Sequence, residues 1–268
     1  MKKQILITGS TDGIGKLAAI KLAQEGHQVY LHGRSAEKLE RVIVEVKEAT
    51  KNEHIQGFVA DFSDLNSVKQ MAQQVIDQLP QLDVLINNAG VFKSRAIQNK
   101  AGLDMRMVVN YLAPYMLTNQ LLPLLAKGLG ARVINLSSAA QSTVSHRVLM
   151  GRETPPAQET YAQSKLALTM WSFHLANTLP GVSIIAVNPG SLLNTKMVQE
   201  AYGQHWSSAD KGADILYKLA VSTDYEGITG KYFDNDRGGF GKAHQDAYDA
   251  VAIKNLLHST EEILSNDQ

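Results

Sequence analysis

The chain has no cysteine. That excludes disulfides, a thiol nucleophile and any zinc–thiolate centre. It also lacks a charge excess: 26 basic and 26 acidic residues leave a formal net charge of +0. Without a basic surplus there is no electrostatic pull toward nucleic acid or an anionic membrane, and neither is expected as a partner. No apolar run approaches the roughly 18 residues of a membrane span. Lys2 and Lys3 precede only Ile5, Leu6 and Ile7, too short a run for a signal h-region. The eight histidines are scattered without an HxxxH pair, so no metal site is expected. A soluble chain in the cytoplasm is the default expectation.

What is present is ample material for one core. The 268 residues, 44% of them hydrophobic, fit one large α/β domain better than two small ones. Short apolar strands alternate with helical periodicity, which predicts a single doubly wound Rossmann-type domain over residues 1–268, with a mainly parallel sheet and helices on both faces. Ligands in such sheets sit beyond the carboxyl ends of the strands. Polar or small residues gather at those ends.

The first strand, Gln4 to Thr8, is followed by Gly9, Gly13 and Gly15 and then a helix running to Gly26. Glycines allow a tight turn and a close backbone approach to a diphosphate, and the new helix offers free N–H groups there. The second strand ends in His32–Gly33–Arg34, with no acid to take ribose hydroxyls, and Ser35 caps the next helix. An arginine at this place suits a 2′-phosphate, so NADP(H) is expected as the preferred cofactor, with NAD(H) as the alternative. Asp12, inside the glycine loop, opposes a phosphate. The third strand ends at Asp61 and the fourth, Leu82 to Ile86, in Asn87–Asn88–Ala89–Gly90.

A long helix follows, carrying Asn110 and Pro114. Proline lacks an N–H, so the Asn110 carbonyl four residues back loses its helical partner and is expected to be free to hold water. The fifth strand ends at Ser137–Ser138, and the segment from there to Tyr161 shows no periodicity and is expected as loop. The stretch "YAQSKLALTMW" then opens a helix. Residues four apart share a helix face, so Tyr161 and Lys165 point the same way. A phenol with pKa near 10 is a poor acid–base group at neutral pH. An ammonium at about 4 Å favours the phenolate by roughly 4 kcal/mol at an effective dielectric near 20, enough to bring it close to neutrality. The sixth strand ends at Asn188–Pro189–Gly190, and residues 191–210, with Tyr202, His205 and Trp206, are expected as an irregular lid. Gly230 to Asp234 are expected as an edge strand and Ala247 to Leu264 as a closing helix.

The set "TGSTDGIG", Asp61, "NNAG", Asn110, "NLSS", "YAQSK" and "NPG" with Thr195, in that order, resembles the short-chain dehydrogenase/reductase family. "LHGRS", the long gap before Tyr161 and the tail "GKYF" resemble its retinol-dehydrogenase-like branch. The resemblance implies an NADP(H)-dependent oxidoreductase moving hydride between nicotinamide and a small-molecule carbonyl/alcohol substrate. It implies Tyr161 as acid–base group, Lys165 as its modulator and ribose ligand, Ser138 as a hydrogen-bond partner of the substrate oxygen, and Asn110 as holder of a relay water. It implies a cofactor shell of Gly9, Ser10, Thr11, Asp12, Gly13, Ile14, Gly15, Arg34, Asp61, Asn88, Ala89, Gly90, Leu192 and Thr195. Met150, Tyr202 and Trp206 are expected to line an apolar substrate pocket beside Ser138, for a lipophilic carbonyl compound. Many relatives pair the Asn110 and Tyr161 helices between subunits, which makes a homodimer or homotetramer possible. The competing class is a non-catalytic dinucleotide sensor or scaffold on the same fold; such a protein would be free to lose the tetrad, and all four residues are present.

Overall fold

A computed structural model describes residues 1–266, except the side chains of Tyr202 and Asn266. Eight strands form one sheet in the order β3-β2-β1-β4-β5-β6-β7-β8. These are β1 (Gln4–Ile7), β2 (Gln28–Gly33), β3 (Ile55–Val59), β4 (Val84–Asn87), β5 (Arg132–Leu136), β6 (Ser183–Asn188), β7 (Lys231–Asp234) and β8 (Gly239–Gly241). All neighbours run parallel except β7 and β8. Lys231 to Asp234 therefore form an inner strand, and the edge is the antiparallel hairpin partner β8, whose three residues are too short to read from pattern.

Strand residues alternate between two cores, as the period of two requires. Ile5, Ile7, Ile86, Ile134 and Val187 pack with α1 (Gly13–Gln24), α2 (Ala36–Thr50) and α9 (Ala209–Val221). Leu6, Leu85, Val133 and Ile184 face the other way, against α3 (Leu65–Gln78), α5 (Ala113–Leu125) and α7 (Ala157–Thr178). This is a Rossmann-type α/β fold. No helix among the described residues is long and apolar enough to cross a membrane.

The Asn110 region departs from a simple proline kink. A short α4 (Met105–Met107) widens into a π turn over Val108–Leu112, where the Ala113 N–H bonds Val108 O, before α5 begins. A proline ring presses on the carbonyl four residues back, which here is that of Asn110, and one extra residue in the turn relieves that crowding. Buried side chains lock this helix to the sheet. Asn87 Nδ2 donates to Thr118 Oγ1 at 3.0 Å and Asn135 Oδ1 at 2.7 Å, and Asn135 Nδ2 donates to Ser172 Oγ at 2.8 Å, so one polar chain crosses from α5 through β4 and β5 to α7.

Two loop expectations and one helix boundary change. The segment between Ser138 and Tyr161 contains α6 (His146–Leu149), capped by Ser145, and α7 starts at Ala157, before the tyrosine. Residues 191–210 contain α8 (Lys196–Tyr202), capped by Thr195 and stopped by Gly203 at φ +70°. The base of that segment is paired: Asn194 N–H bonds Ser207 O and Trp206 N–H bonds Leu192 O. The last helix, α10 (Ala250–Asn266), starts later than the sequence pattern indicates. It lies on the α5–α7 face, where the Tyr111 and Thr260 hydroxyls meet at 2.7 Å and His146 Nδ1 meets Ser259 Oγ at 2.7 Å.

Candidate active site

A cavity of about 1000 Å³ opens along the carboxyl ends of the central strands. At its β1 end, Gly9, Thr11, Asp12, Gly13, Ile14 and Gly15 form the wall. Asp12 stands in this wall with its carboxylate partnered. It is the N-cap of α1, accepting from Gly13 N–H, and Lys38 Nζ sits 2.9 Å from its carboxylate. That lysine, more than any other group, holds the Asp12 carboxyl below its ordinary pKa. The N–H groups of the first turn of α1 beyond the cap have no helical partner. Asn88 Nδ2 donates to Thr8 O and Gly9 O at 2.8 and 2.9 Å, tying the glycine loop to the end of β4. A Cβ on Gly15 would stand 2.3 Å from that same Nδ2, so only glycine fits.

Ser10, expected to touch the cofactor, does not line the cavity. It is buried, donating to Ile7 O at 2.8 Å and accepting from His32 N–H at 3.0 Å, so its hydroxyl is spent on the turn. The residue missed here is His32. Its Nδ1 accepts from Gly9 N–H at 3.0 Å, and its Nε2 lies 3.1 Å from Ala60 O. These partners require the neutral ring with the proton on Nε2. Burial agrees, pushing the imidazole down to about 4. Its place as the next-to-last residue of a strand, pointing inward, was the only signal in the sequence.

Arg34 and Asp61 line the adenosine end. Arg34 is exposed and, among the described residues, makes no ion pair or side-chain hydrogen bond, while Asp61 Oδ1 accepts from Ser63 N–H and Oγ. Ala89, Gly90 and Thr195 also line the cavity. Leu192 does not; its backbone is left-handed at φ +47°, which turns the chain and presents Leu193 instead. A left-handed leucine is strained, by about 1–3 kcal/mol.

The expected tetrad is brought together except at one member. Lys165 Nζ lies 5.5 Å from the centre of the Tyr161 ring and donates to Leu136 O at 2.7 Å. It is buried, which pushes its ammonium down to about 8. It therefore keeps its charge at neutral pH and loses it at mildly alkaline pH. Asn110 stands behind the wall. Its Nδ2 donates to Ser164 Oγ at 3.0 Å, and Ser164 Oγ donates to Tyr161 O at 2.7 Å. Its Oδ1 accepts from Val91 N–H at 2.8 Å and its Nδ2 also donates to Val91 O. One amide thus fixes both the turn bearing the tyrosine and the loop after Gly90. A Cβ on Gly90 would be 3.3 Å from Asn110 Oδ1 and 3.6 Å from Lys165 Nζ, which shows how closely these groups converge.

Ser138 does not line the cavity; Ser137 does. The Ser138 hydroxyl accepts from Ala140 N–H at 3.1 Å, and its carbonyl is held by Tyr232 Oη and Gln141 Nε2. The Ser137 hydroxyl is engaged by Thr169 and by Lys165 O.

The expected substrate residues are not where the pattern put them. Met150 packs part-buried against the α7-side core, because α6 turns it inward, and Trp206 is 74% exposed on the outside of the 191–210 segment. The side chain of Tyr202 lies outside the described residues. The wall near Tyr161 is made instead by Phe92, whose ring lies 5.0 Å from that of Tyr161, with Met105, Val109, Met197 and Val198. Phe92 stands two residues after "NNAG", and that position was its signal.

Known proteins agree with this geometry. Residues 3–206 match the family model described as short chain dehydrogenase. Human retinol dehydrogenase 13 is 32% identical over 253 residues, covering 87% of this chain and 76% of its own. Human polyprenol dehydrogenase is 30% identical, with 87% and 76% covered. A Shigella flexneri 2a protein assigned to the short chain dehydrogenases and complexed with NADP has a TM-score of 0.71 and 31% identity, covering 87% of this chain and 97% of its own. With the glycine loop, the Tyr161–Lys165 pair and Asn110 assembled at one cavity, the chain belongs to the short-chain dehydrogenase/reductase family, in its retinol-dehydrogenase-like branch, as an NAD(P)-dependent dehydrogenase/reductase.

Proposed function

We propose that the protein prefers NADP(H) and transfers hydride between its nicotinamide and the carbonyl/alcohol carbon of a lipophilic small molecule. The observation that carries this is one continuous cavity with an unpaired arginine at one end and the Tyr161–Lys165 pair at the other. A bound nicotinamide supplies or accepts the hydride. The chain supplies the proton and the orientation. Tyr161 gives its phenolic proton to the substrate oxygen in reduction and takes it back in oxidation. Lys165, charged near neutral pH, favours the phenolate and reaches the nicotinamide ribose. Asn110 holds the tyrosine's turn through Ser164. Ser138 lies one residue past the cavity lining; its hydroxyl accepts from Ala140 N–H, which leaves the proton to donate to the substrate oxygen when the side chain turns toward Tyr161. Gly9, Thr11, Gly13, Ile14, Gly15, Asn88, Ala89, Gly90 and Thr195 would hold the dinucleotide, and Arg34 its 2′-phosphate.

The lipophilic substrate rests on Phe92, Met105, Val109 and Met197 and on relatives that act on retinol and polyprenol. α10 packs beside α6 and α7, so a homodimer or homotetramer joined through the α7 face would include α10 in its interface. The test is a titration of NADH and NADPH fluorescence beside a screen of lipophilic aldehydes and ketones for NADPH oxidation. NADPH should bind at least about tenfold more tightly, the worth of one guanidinium–phosphate contact, and Arg34→Asp should reverse that preference. Equal affinity in the wild type would end the NADP assignment.

A further inference from the structure

The wall beside Tyr161 is apolar only at its base. Past Phe92, the cavity lining continues through Lys93, Ser94 and Arg95. Lys93 and Arg95 are exposed and, among the described residues, make no ion pair or side-chain hydrogen bond. The one acid on this side of the lining, Glu200, lies 3.8 Å from Lys196. Both cations sit on a segment held at its two ends. Arg106, buried in an ion pair with Asp104 at 2.7 Å, donates from Nη1 to Phe92 O at 3.3 Å. Farther along, Met105 N–H bonds Ile97 O, and Asn99 Nδ2 bonds Ser63 O.

Along the chain Lys93 is the nearer of the two to the ring on Tyr161, and Arg95 lies on the stretch that runs on toward the Ser63 tether. Lys93 and Arg95 follow the ring that touches Tyr161 by one and three residues, within roughly 4–11 Å of chain. Arg34 follows β2, two strands away from β4, so about 10 Å across the sheet from the strand that feeds this loop. Arg34 is thus placed for the adenosine side, and Lys93, next to the ring on Tyr161, for a group on the substrate side, with Arg95 two residues on along the same wall.

Resting on the oxidoreductase reading above, we infer that the preferred substrate carries an anionic group, a carboxylate or a phosphate, distal to its carbonyl, and that Lys93 and Arg95 bind it. The substrate is then amphiphilic: its carbonyl lies at Tyr161, its apolar body on Phe92 and Val109, and its anion at the mouth. Because the cations are water-exposed, the preference weakens with salt.

The test compares 4-formylbenzoate with its methyl ester at saturating NADPH, together with 4-formylphenyl phosphate to separate phosphate from carboxylate. The wild type should show kcat/KM at least about tenfold higher for an anionic aldehyde than for the ester. In Lys93→Gln/Arg95→Gln that ratio should fall toward one, and in 1 M salt it should shrink in the wild type. A wild-type ratio near one, or a ratio the double variant does not move, overturns the inference while leaving the oxidoreductase reading intact. If both cations serve the cofactor instead, the double variant raises the NADPH Kd and leaves the ratio alone, which also overturns it. If none of the three aldehydes consumes NADPH, the reading and the inference fall together.

Discussion

The two ends of the cavity are held by different kinds of bond. At the dinucleotide end, side chains grip backbone: Asn88 holds Thr8 and Gly9, His32 holds Gly9 and Ala60, and Thr8 Oγ1 accepts from Ala89 N–H at 3.0 Å. These contacts fix a main-chain shape that a diphosphate can approach, and a single Cβ disrupts it. At the substrate end the wall is side chain, and the 191–210 segment hangs from a base clamped by Asp236. That carboxylate accepts from Asn188 Nδ2 at 2.9 Å, Ser191 N–H at 2.9 Å and Ser191 Oγ at 2.6 Å, with Lys211 Nζ at 3.6 Å. One end is therefore rigid because its backbone is specified, and the other is positioned at its root and variable beyond it. Cofactor binding can be common to a family while substrate choice is not.

Substitutions can break or sharpen this contrast. The largest effect is expected at Lys165, where the two ends meet. Lys165→Met should lower turnover by at least about a hundredfold and weaken NADPH binding as well. In the wild type, kcat/KM for carbonyl reduction should fall as pH rises through about 8, because the buried ammonium loses its proton there and the cation beside Tyr161 disappears. Stability should move oppositely. Between about 8 and the ordinary lysine value of 10.5 the unfolded chain holds a proton that the folded chain lacks, so unfolding free energy rises with pH across that window. Chemical denaturation at pH 7.5 and 9.5, compared with Lys165→Met, isolates the group.

Gly15→Ala should come next. Its Cβ meets Asn88 Nδ2 and pulls apart the strand-end clamp, so the NADPH Kd should rise by roughly thirtyfold at a Tm lowered by a few degrees. A normal Kd would show that the loop tolerates a shift and that the dinucleotide end is less rigid than its bonds imply. The smallest effect is expected at Asp236→Asn, which keeps the size and loses the charge. The substrate KM should rise a few-fold with the NADPH Kd nearly unmoved, and hydrogen exchange over residues 192–207 should quicken. A larger change in NADPH binding than in substrate KM would show that the clamp serves the cofactor end.

The same contrast explains what could be read from the residues alone. Glycine spacing, the Asn88–Gly90 turn and the Tyr161–Lys165 interval are backbone requirements with a fixed register, and each appears at the cavity. His32 escaped because one inward strand histidine looks like any other core residue until Gly9 and Ala60 are brought to it by folding. Ser10 and Leu192 sit inside the loops that carry the motifs yet face away from the cavity, since a motif specifies a turn and not the direction of each side chain in it. The substrate wall was misplaced for a different reason. Apolar character drew attention to Met150 and Trp206, while Phe92 and Met105 were placed by a loop whose course depends on the buried Asp104–Arg106 pair. Periodicity carries no trace of that pair. The π turn at Asn110 was half legible: Pro114 signalled a disturbance, but only the packing shows that the helix widens.

The most direct measurement is on Tyr161→Phe, which keeps the ring beside Phe92 and Lys165 and removes only the hydroxyl. With a carbonyl substrate found by the NADPH screen, Tyr161 as proton donor predicts turnover at least about a hundredfold lower, at an NADPH Kd within about twofold of wild type. Near wild-type reduction by that variant would contradict the assignment, whatever the cofactor titration shows.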